Sequence, residues 1–226
     1  MKEEEKIFAG KMFDPRKQEL KDIKHKAHAA CQKYNMMDEF DSDRNEVIRD
    51  ILGKVGNVFY FQGPVQFNYG CHTFIGENFF ANFNLTVMDD GKIFIGDNVC
   101  FGPNVSLMAT SHPLIAQERM GLDEDGKTTM AEYADEIHIG NNVWIACNTV
   151  VIGGVHIGNN VVIGAGSVVT KDIPDNYLAF GNPCRPVRPI TEKDSKKELI
   201  LPEDREHFSY NLNCIIWSEV VLLSEK

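Results

Sequence analysis

The chain has 226 residues, 43% of them hydrophobic and 25% charged, with a formal net charge of −10. That acidic balance argues against nucleic-acid binding as the main task, which needs a concentrated basic face, while local basic spots can still hold a small anionic cofactor; no run approaches the roughly twenty apolar residues of a membrane span. Six scattered cysteines (Cys31, Cys71, Cys100, Cys147, Cys184 and Cys214) have no CxxC or other ligand spacing, which argues for free thiols over a disulfide framework or a zinc site.

The opening MKEEEKIF lacks the apolar segment of a signal peptide and so points to the cytosol. Residues 1–57 are charged and poor in glycine, with apolar residues at helical spacing. A short helix ending at Gly10, a second over Gln18 to Tyr34 and a third near Asp43 to Leu52 would form a helical flap. Met12-Phe13-Asp14-Pro15 between the first two is a turn, because the residue before proline is driven out of the helical region. Asp14 there reads either as a helix-capping carboxylate or as a ligand.

From Val58 the chain changes to β-branched and aromatic residues with glycine punctuation. Its most regular stretch runs from His138 to Lys171 and places Ile139, Ile145, Val151, Ile157, Ile163 and Val169 six apart. Neither a helix nor a simple strand has that period. Short strands joined by Gly/Asn-rich corners do, and three of them make an eighteen-residue coil of a parallel β-helix, a mainly β fold. Gly140 then stacks on Gly158, Val143 on Val161 and Ile145 on Ile163. Such a coil needs neighbours above and below to bury its interior.

The same phase appears earlier at Ile75, Ala81 and Val87, and again at Ile95, Phe101 and Leu107. Ile75 to Ile95 is two residues longer than a coil, so a corner bulges at Asp89-Asp90-Gly91. Leu107 to Ile139 breaks the period further, so residues 109–136, polar and with Gly121 and Gly126, leave the coil as a loop. A long loop on a rigid solenoid is a place to look for function. After Lys171 come an irregular Pro-rich segment, AFGNPCRPVRPI, and a tail from Thr191 to Lys226 with a helix or strand ending in CIIWSEVVLL. The organisation is therefore a flap over 1–57, a coil over 58–190 carrying the loop 109–136, and an extension over 191–226.

His112, in TSHP, sits where the chain leaves the coil. An imidazole titrating near neutrality can take a proton from a hydroxyl, the step that acylation of a sugar or amine requires; a loop histidine without a task is the alternative. His138 and His156 are eighteen apart and should stack, which reads as a surface ladder because no carboxylate or third histidine at suitable spacing completes a metal set. Trp144 falls mid-coil, where an outward indole walls a pocket or an interface.

The hexads, together with AGKMFDP, ANFNLTVMDD, TSHP, IGNNVWI, IGAGSVVTKDIP and GNPCRPVR in that order, resemble the hexapeptide-repeat O-acetyltransferases of the maltose and galactoside branch over about residues 5 to 190. The resemblance implies a left-handed β-helix, a homotrimer, and acetyl-CoA lying between neighbouring β-helices under the loop of one subunit. It implies that His112 is the general base for direct attack of a sugar hydroxyl on the thioester, without an acyl-enzyme, and that Asn82 stabilises the transition state beside the cofactor. Asp14, Asn68, Phe80 and Asp90 would hold the acceptor; Phe80 stands where the family often has Tyr, which removes a hydroxyl. Cys147 and Ala165 would lie beside the pantetheine arm, and Thr170, Lys171, Arg185 and Arg188 would meet the nucleotide phosphates. Cys147, Ala165, Thr170 and Lys171 would form one wall of that groove. No metal is required on this reading. Competing readings are a same-fold acetyltransferase acting on an antibiotic or other non-sugar acceptor, a metal-dependent hydratase of the γ-carbonic anhydrase type, and a silent trimeric scaffold.

Overall fold

A computed structural model describes residues 1–122 and 124–202. Short parallel strands wind into a triangular solenoid with three flat faces, a parallel β-helix. One face stacks Phe59–Phe61, Phe79–Ala81, Cys100–Phe101, Trp144–Ile145 and Val162–Ile163; the second stacks Val65–Phe67, Leu85–Met88, Ser106–Met108, Val150–Ile152 and Val168–Val169; the third stacks Thr73–Ile75, Ile93–Ile95, Ile137–Ile139 and His156–Ile157. The register follows the hexads: Ile75 pairs with Ile95, Ile95 with Ile139, Ile139 with Ile157, and Ile145 with Ile163. These aliphatic residues point inward and are buried.

The corners explain why the repeat is rich in asparagine. Asn78, Asn98, Asn142, Asn160 and Asn176 all have φ between 55° and 62°, a left-handed conformation that asparagine tolerates better than most residues. Each of the first four donates its side-chain amide to the next one up the coil, at 2.8, 3.0, 2.9 and 2.9 Å. The ladder satisfies polar groups at turns that have no regular backbone partners.

Three edges separate the faces. The first edge joins the first and second faces, at residues 82–84, 102–104, 146–148 and 164–166. The second joins the second and third faces, at residues 68–72, 89–92, 109–136, 153–155 and 170–172. The third carries the asparagine ladder. Every departure from the six-residue repeat between residues 68 and 136 lies on the second edge, including the Asp89-Asp90-Gly91 bulge and the long loop.

Helices α1 (Glu3–Phe8), α2 (Gln18–Met36) and α3 (Arg44–Arg49) cover the first coil. Ala27, Cys31, Tyr34, Ile48 and Ile51 share one continuous core with Phe61, Val65 and Phe67. Asn35 both donates to and accepts from the backbone of Val65, at 2.9 and 2.8 Å, so the first coil's exposed strand is paired by a side chain. The loop has more structure than its polarity suggests: helix α4 (Ala116–Arg119) and an antiparallel hairpin of Met120–Leu122 with Thr128–Met130. The segment expected to be irregular after Lys171 is also ordered. Tyr177–Gly181 pairs antiparallel with Cys184–Pro189, and Pro186 and Pro189 are accommodated because that strand is the outermost of its sheet. The expected CIIWSEVVLL element lies outside the described residues. Among those described, no helix is long and apolar enough to cross a membrane.

Candidate active site

Thr110–Ser111 pairs antiparallel with Tyr133–Ala134 and closes the neck of the loop. His112 follows at once, and its Nδ1 lies 3.1 Å from the Ala131 carbonyl oxygen. A carbonyl can only accept, so Nδ1 carries the proton and Nε2 presents its lone pair. On the Nε2 side lies Glu132 Oε1, 3.7 Å away. The imidazole is 43% exposed and the carboxylate 14%, so the ring is reachable while its acidic neighbour is largely shielded from water.

The flap reaches the same place. The Phe13 N–H donates to the Glu132 carbonyl at 2.9 Å, and the Glu132 N–H donates to the Phe13 carbonyl at 3.0 Å. This bridge sets Asp14 next to the loop neck. Glu3 of α1 accepts the Asp14 N–H at 2.9 Å, and the Asp14 carboxylate accepts from Arg16 Nε and Nη2, each at 2.9 Å. The Arg16 guanidinium holds the Asp14 carboxyl below its usual range. Asp14 caps no helix, since α2 begins at Gln18 with Lys17 as its N-cap.

Beneath His112 the second edge supplies a polar recess. Asp90 is almost fully buried, and its Oδ2 accepts from Asn68 Nδ2 at 3.1 Å. Asp90 Oδ1 and the Tyr69 hydroxyl are buried close to each other, and neither has a hydrogen bond of good geometry among the described residues, a state that native structures rarely leave unexplained. Burial pushes the Asp90 carboxyl up, and the Asn68 amide and the Lys24 charge pull against it. Burial also raises Glu132, with the Asp90 charge adding to it and His112 opposing. The Tyr69 phenol is raised by burial and then by the charges of Asp90 and Glu132. Asp89 next door is different in kind: its two oxygens accept from the Tyr69 N–H at 2.8 Å and the Thr73 hydroxyl at 2.9 Å, so it holds the bulged corner in shape.

Three members of this recess, Glu132, Tyr69 and Lys24, were not legible beforehand as site residues. Glu132 arrives from the far side of the loop, Lys24 is one of several lysines on α2, and only the adjacency of Tyr69 to Asn68 was a usable signal.

Asn82 and Phe80 lie elsewhere. Asn82 is on the first edge, where its Oδ1 accepts the Phe83 N–H at 2.8 Å and leaves its amide N–H groups to donate. Phe80 faces outward on the first face, stacked 6.2 Å from Tyr60. His112 leaves the opposite end of the second face, so a strand of Leu85–Met88 length, roughly 13 Å, separates Asn82 from His112 within one chain.

The four residues expected on one wall occupy two edges. Cys147 and Ala165 stack on the first edge, where the Gly166 N–H donates to the Cys147 carbonyl at 2.9 Å. Thr170 and Lys171 are on the second edge, because they follow Val168–Val169 across the face. A single chain therefore offers two half-walls flanking the second face. Arg185 and Arg188 project from the last hairpin. Arg188 is paired with Asp194 at 2.6 and 2.8 Å, whereas Arg185 donates to the Cys184 carbonyl at 2.7 Å and has no carboxylate partner among the described residues.

The histidine ladder is real: His138 and His156 rings lie 4.5 Å apart at 6°, and Phe94 and Phe74 extend the stack. Trp144 points outward and is 51% exposed. A separate cluster, Glu4, Cys71 and His72, brings three ligand atoms within 4.8 Å of one another.

Comparison with known proteins agrees with this architecture at both ends of the chain. Residues 136–171 match the family described as bacterial transferase hexapeptide (six repeats), and residues 6–56 match the maltose acetyltransferase hexapeptide capping motif. The chain is 41% identical to the galactoside O-acetyltransferase of Escherichia coli (strain K12) over 191 residues, covering 84% of this chain and 90% of that protein. It is similar to a solved galactoside acetyltransferase in complex with coenzyme A, with a TM-score of 0.78 at 41% identity over 86% of this chain and 94% of that one. A hexapeptide-repeat-containing acetyltransferase from Vibrio cholerae, solved with acetyl coenzyme A, is similar with a TM-score of 0.73 at 31% identity over 85% of this chain and 100% of that one.

Proposed function

The chain belongs to the hexapeptide-repeat acetyltransferases of the maltose and galactoside branch, and on that premise we propose that it moves acetyl from acetyl-CoA to a hydroxyl of a small sugar, with His112 as general base. The observation that carries this reading is the His112 imidazole: its tautomer is set by the Ala131 carbonyl, and its Nε2 is turned toward a recess of carboxylates and amides.

His112 Nε2 takes the proton of the acceptor hydroxyl as the oxygen attacks the thioester carbonyl. Glu132 then faces an imidazolium, and its charge stabilises that cation in the transition state, where the help counts toward rate. The Asn82 amide N–H donates to the oxyanion that forms on the carbonyl oxygen. When the C–S bond breaks, His112 returns the proton to the departing sulfur, and no covalent acyl-enzyme forms. Asn68, Tyr69, Asp90 and Asp14 orient sugar hydroxyls; Asp90 Oδ1 and the Tyr69 hydroxyl are ready to exchange hydrogen bonds with them.

The separation of Asn82 from His112 supports assembly, since one substrate can meet both only if the first edge of one copy lies against the second edge of the next. Closure of that heterologous contact into a ring gives the homotrimer. Phe80 would then face the recess of a neighbouring copy. Cys147 and Ala165 of one copy and Thr170 and Lys171 of the next would be the two walls of the cofactor groove, with Arg185 placed to meet phosphate. Leu114 (94% exposed), Ile115 and Leu122 on the loop are apolar and unburied in the single chain, as a loop that covers a neighbour would be.

The test is CoA release from acetyl-CoA with a panel of glucose, maltose, galactosides and non-sugar acceptors. His112→Ala should lower the rate by about two to four powers of ten, the range for loss of a general base. Full activity in that variant with every acceptor would refute the assignment, and turnover of non-sugar acceptors alone would replace the sugar.

A further inference from the structure

Glu4 of α1 meets Cys71 and His72 of the second edge behind the recess, against the ring of Tyr69 and the backbone of Asp90. His72 is almost completely buried, and its Nδ1 lies 2.9 Å from the Asp89 carbonyl oxygen and 3.0 Å from that of Asp90. Both partners can only accept, so Nδ1 carries a proton. The ring cannot turn away: Tyr69 stacks on it with centroids 4.9 Å apart, and Phe8 meets it edge-on at 4.9 Å. Nε2 therefore points at Glu4 Oε1, 3.1 Å away, with the Cys71 thiol alongside; a carboxylate can only accept, so without a metal Nε2 is protonated as well and the ring pairs with Glu4 as an imidazolium.

Three atoms that can each ligate a metal thus converge from two elements, two of them held together by an ion pair. Among the described residues Glu4 has no lysine or arginine within ion-pair distance; Lys6 is engaged by Glu3 at 2.6 Å, and Lys92 sits over the Phe8 ring. An orienting backbone hydrogen bond on the far nitrogen is the arrangement that metal-ligating histidines adopt. Tetrahedral zinc ligands with bonds near 2.0 Å stand about 3.3 Å apart, close to the observed nitrogen–oxygen distance. One thiolate, one carboxylate and a neutral imidazole also cancel the charge of a divalent cation, which suits a half-buried place.

We propose that Glu4, Cys71 and His72 bind a zinc ion, with water in the fourth position, and that this ion staples α1 to the coil. The mixed N, O and S donor set favours zinc over the hard cations magnesium and calcium. Binding replaces the His72–Glu4 ion pair and releases two protons to water, as Zn–N and Zn–S bonds form in place of the His72 Nε2–H and Cys71 S–H bonds. The site has no part in the transfer reaction. Its consequence for the molecule is order in the flap: α1 has six residues, too few to hold a helix alone, and the residue before Glu4 accepts the Asp14 N–H. Fixing Glu4 therefore fixes the turn that pairs with Glu132.

The experiment uses the full-length protein, purified without a metal-binding tag and stripped with a chelator, and titrates it with Zn²⁺ and separately with Co²⁺. One equivalent per chain should bind, Co²⁺ should produce a thiolate-to-cobalt charge-transfer band, and zinc at a hundredfold excess over Kd should raise Tm by roughly 5–10 °C. Zinc should also slow hydrogen exchange at the Asp14 amide. Cys71→Ser should abolish the band. Glu4→Gln, on the partly exposed helix, should weaken zinc binding at least about tenfold, since even the outer partners of metal ligands cost that much. Absence of both the band and the Tm shift in the unmodified protein overturns the proposal, as does a band that survives Cys71→Ser. If Cys71→Ser does not fold, unchanged zinc affinity in Glu4→Gln overturns it.

Discussion

Replacement of Glu132 by glutamine separates a carboxylate that serves catalysis from one that serves the fold, because the two roles predict opposite signs for stability. Burial and the neighbouring Asp90 charge raise the Glu132 carboxyl above its ordinary value of 4.5. A carboxyl with a raised folded-state pKa binds its proton more tightly in the folded protein. Its favourable contribution is complete below the unfolded pKa and is lost as pH rises through the folded one. At neutral pH the anion is a cost, so Glu132→Gln should be more stable there by about 0.5–2 kcal/mol, with the advantage shrinking toward pH 4. The rate should move the other way. Unit charges at the observed 3.7 Å attract by about 1 kcal/mol in water and about 4.5 kcal/mol at an effective dielectric of 20. With His112 partly exposed, the lower end applies, about 1–2 kcal/mol, or roughly five- to thirtyfold in kcat. Thermal unfolding at several pH values and steady-state CoA release on the same samples test this. A variant that is less stable at pH 7, or that keeps full kcat, refutes the placement of Glu132 as an electrostatic partner of the base.

Two further outcomes test the assembly and the scaffold. Asn82→Ala and His112→Ala should each be nearly inactive, yet a mixture unfolded and refolded together in equal amounts should regain about one quarter of the normal activity, because each shared site then draws an intact residue from both copies with that frequency; no recovery would mean that both residues act within one chain. Asn142→Ala removes two rungs of the asparagine ladder at a left-handed backbone position, and chemical denaturation should show a loss of about 1–3 kcal/mol, with Asn142→Gly losing less.

Much of the scaffold was legible because a solenoid makes its long-range contacts periodic. A residue's neighbour across the coil is eighteen positions away wherever the repeat is intact, so Ile139 on Ile157 and His138 on His156 could be placed by counting. The flap helices were legible for a local reason: their apolar spacing and the Gly10 and Asp14-Pro15 breaks act over a few residues. The two-residue surplus between Ile75 and Ile95 likewise announced a bulge at Asp89-Asp90-Gly91, and TSHP marked the root of the loop.

Where the period fails, counting fails with it, and tertiary structure decides. Glu132 comes beside His112 only because Thr110–Ser111 pairs with Tyr133–Ala134 across an excursion with no repeat of its own. Glu3, Glu4 and Phe13 reach Asp14, His72 and Glu132 through flap contacts that leave no periodic trace in the sequence. The edges were decided by the structure for a related reason. The resemblance put Cys147, Ala165, Thr170 and Lys171 on one wall, and hexad phase, which treats all corners alike, could not show that the second face lies between the two pairs. The sequence by itself determined the coil, its register and its inward residues, since those are set by local strand preference and a fixed translation. Which side chains meet at the second edge, and that Asn82 is held a strand's width from His112, depended on how the loop and flap close over that edge, which only three-dimensional packing specifies.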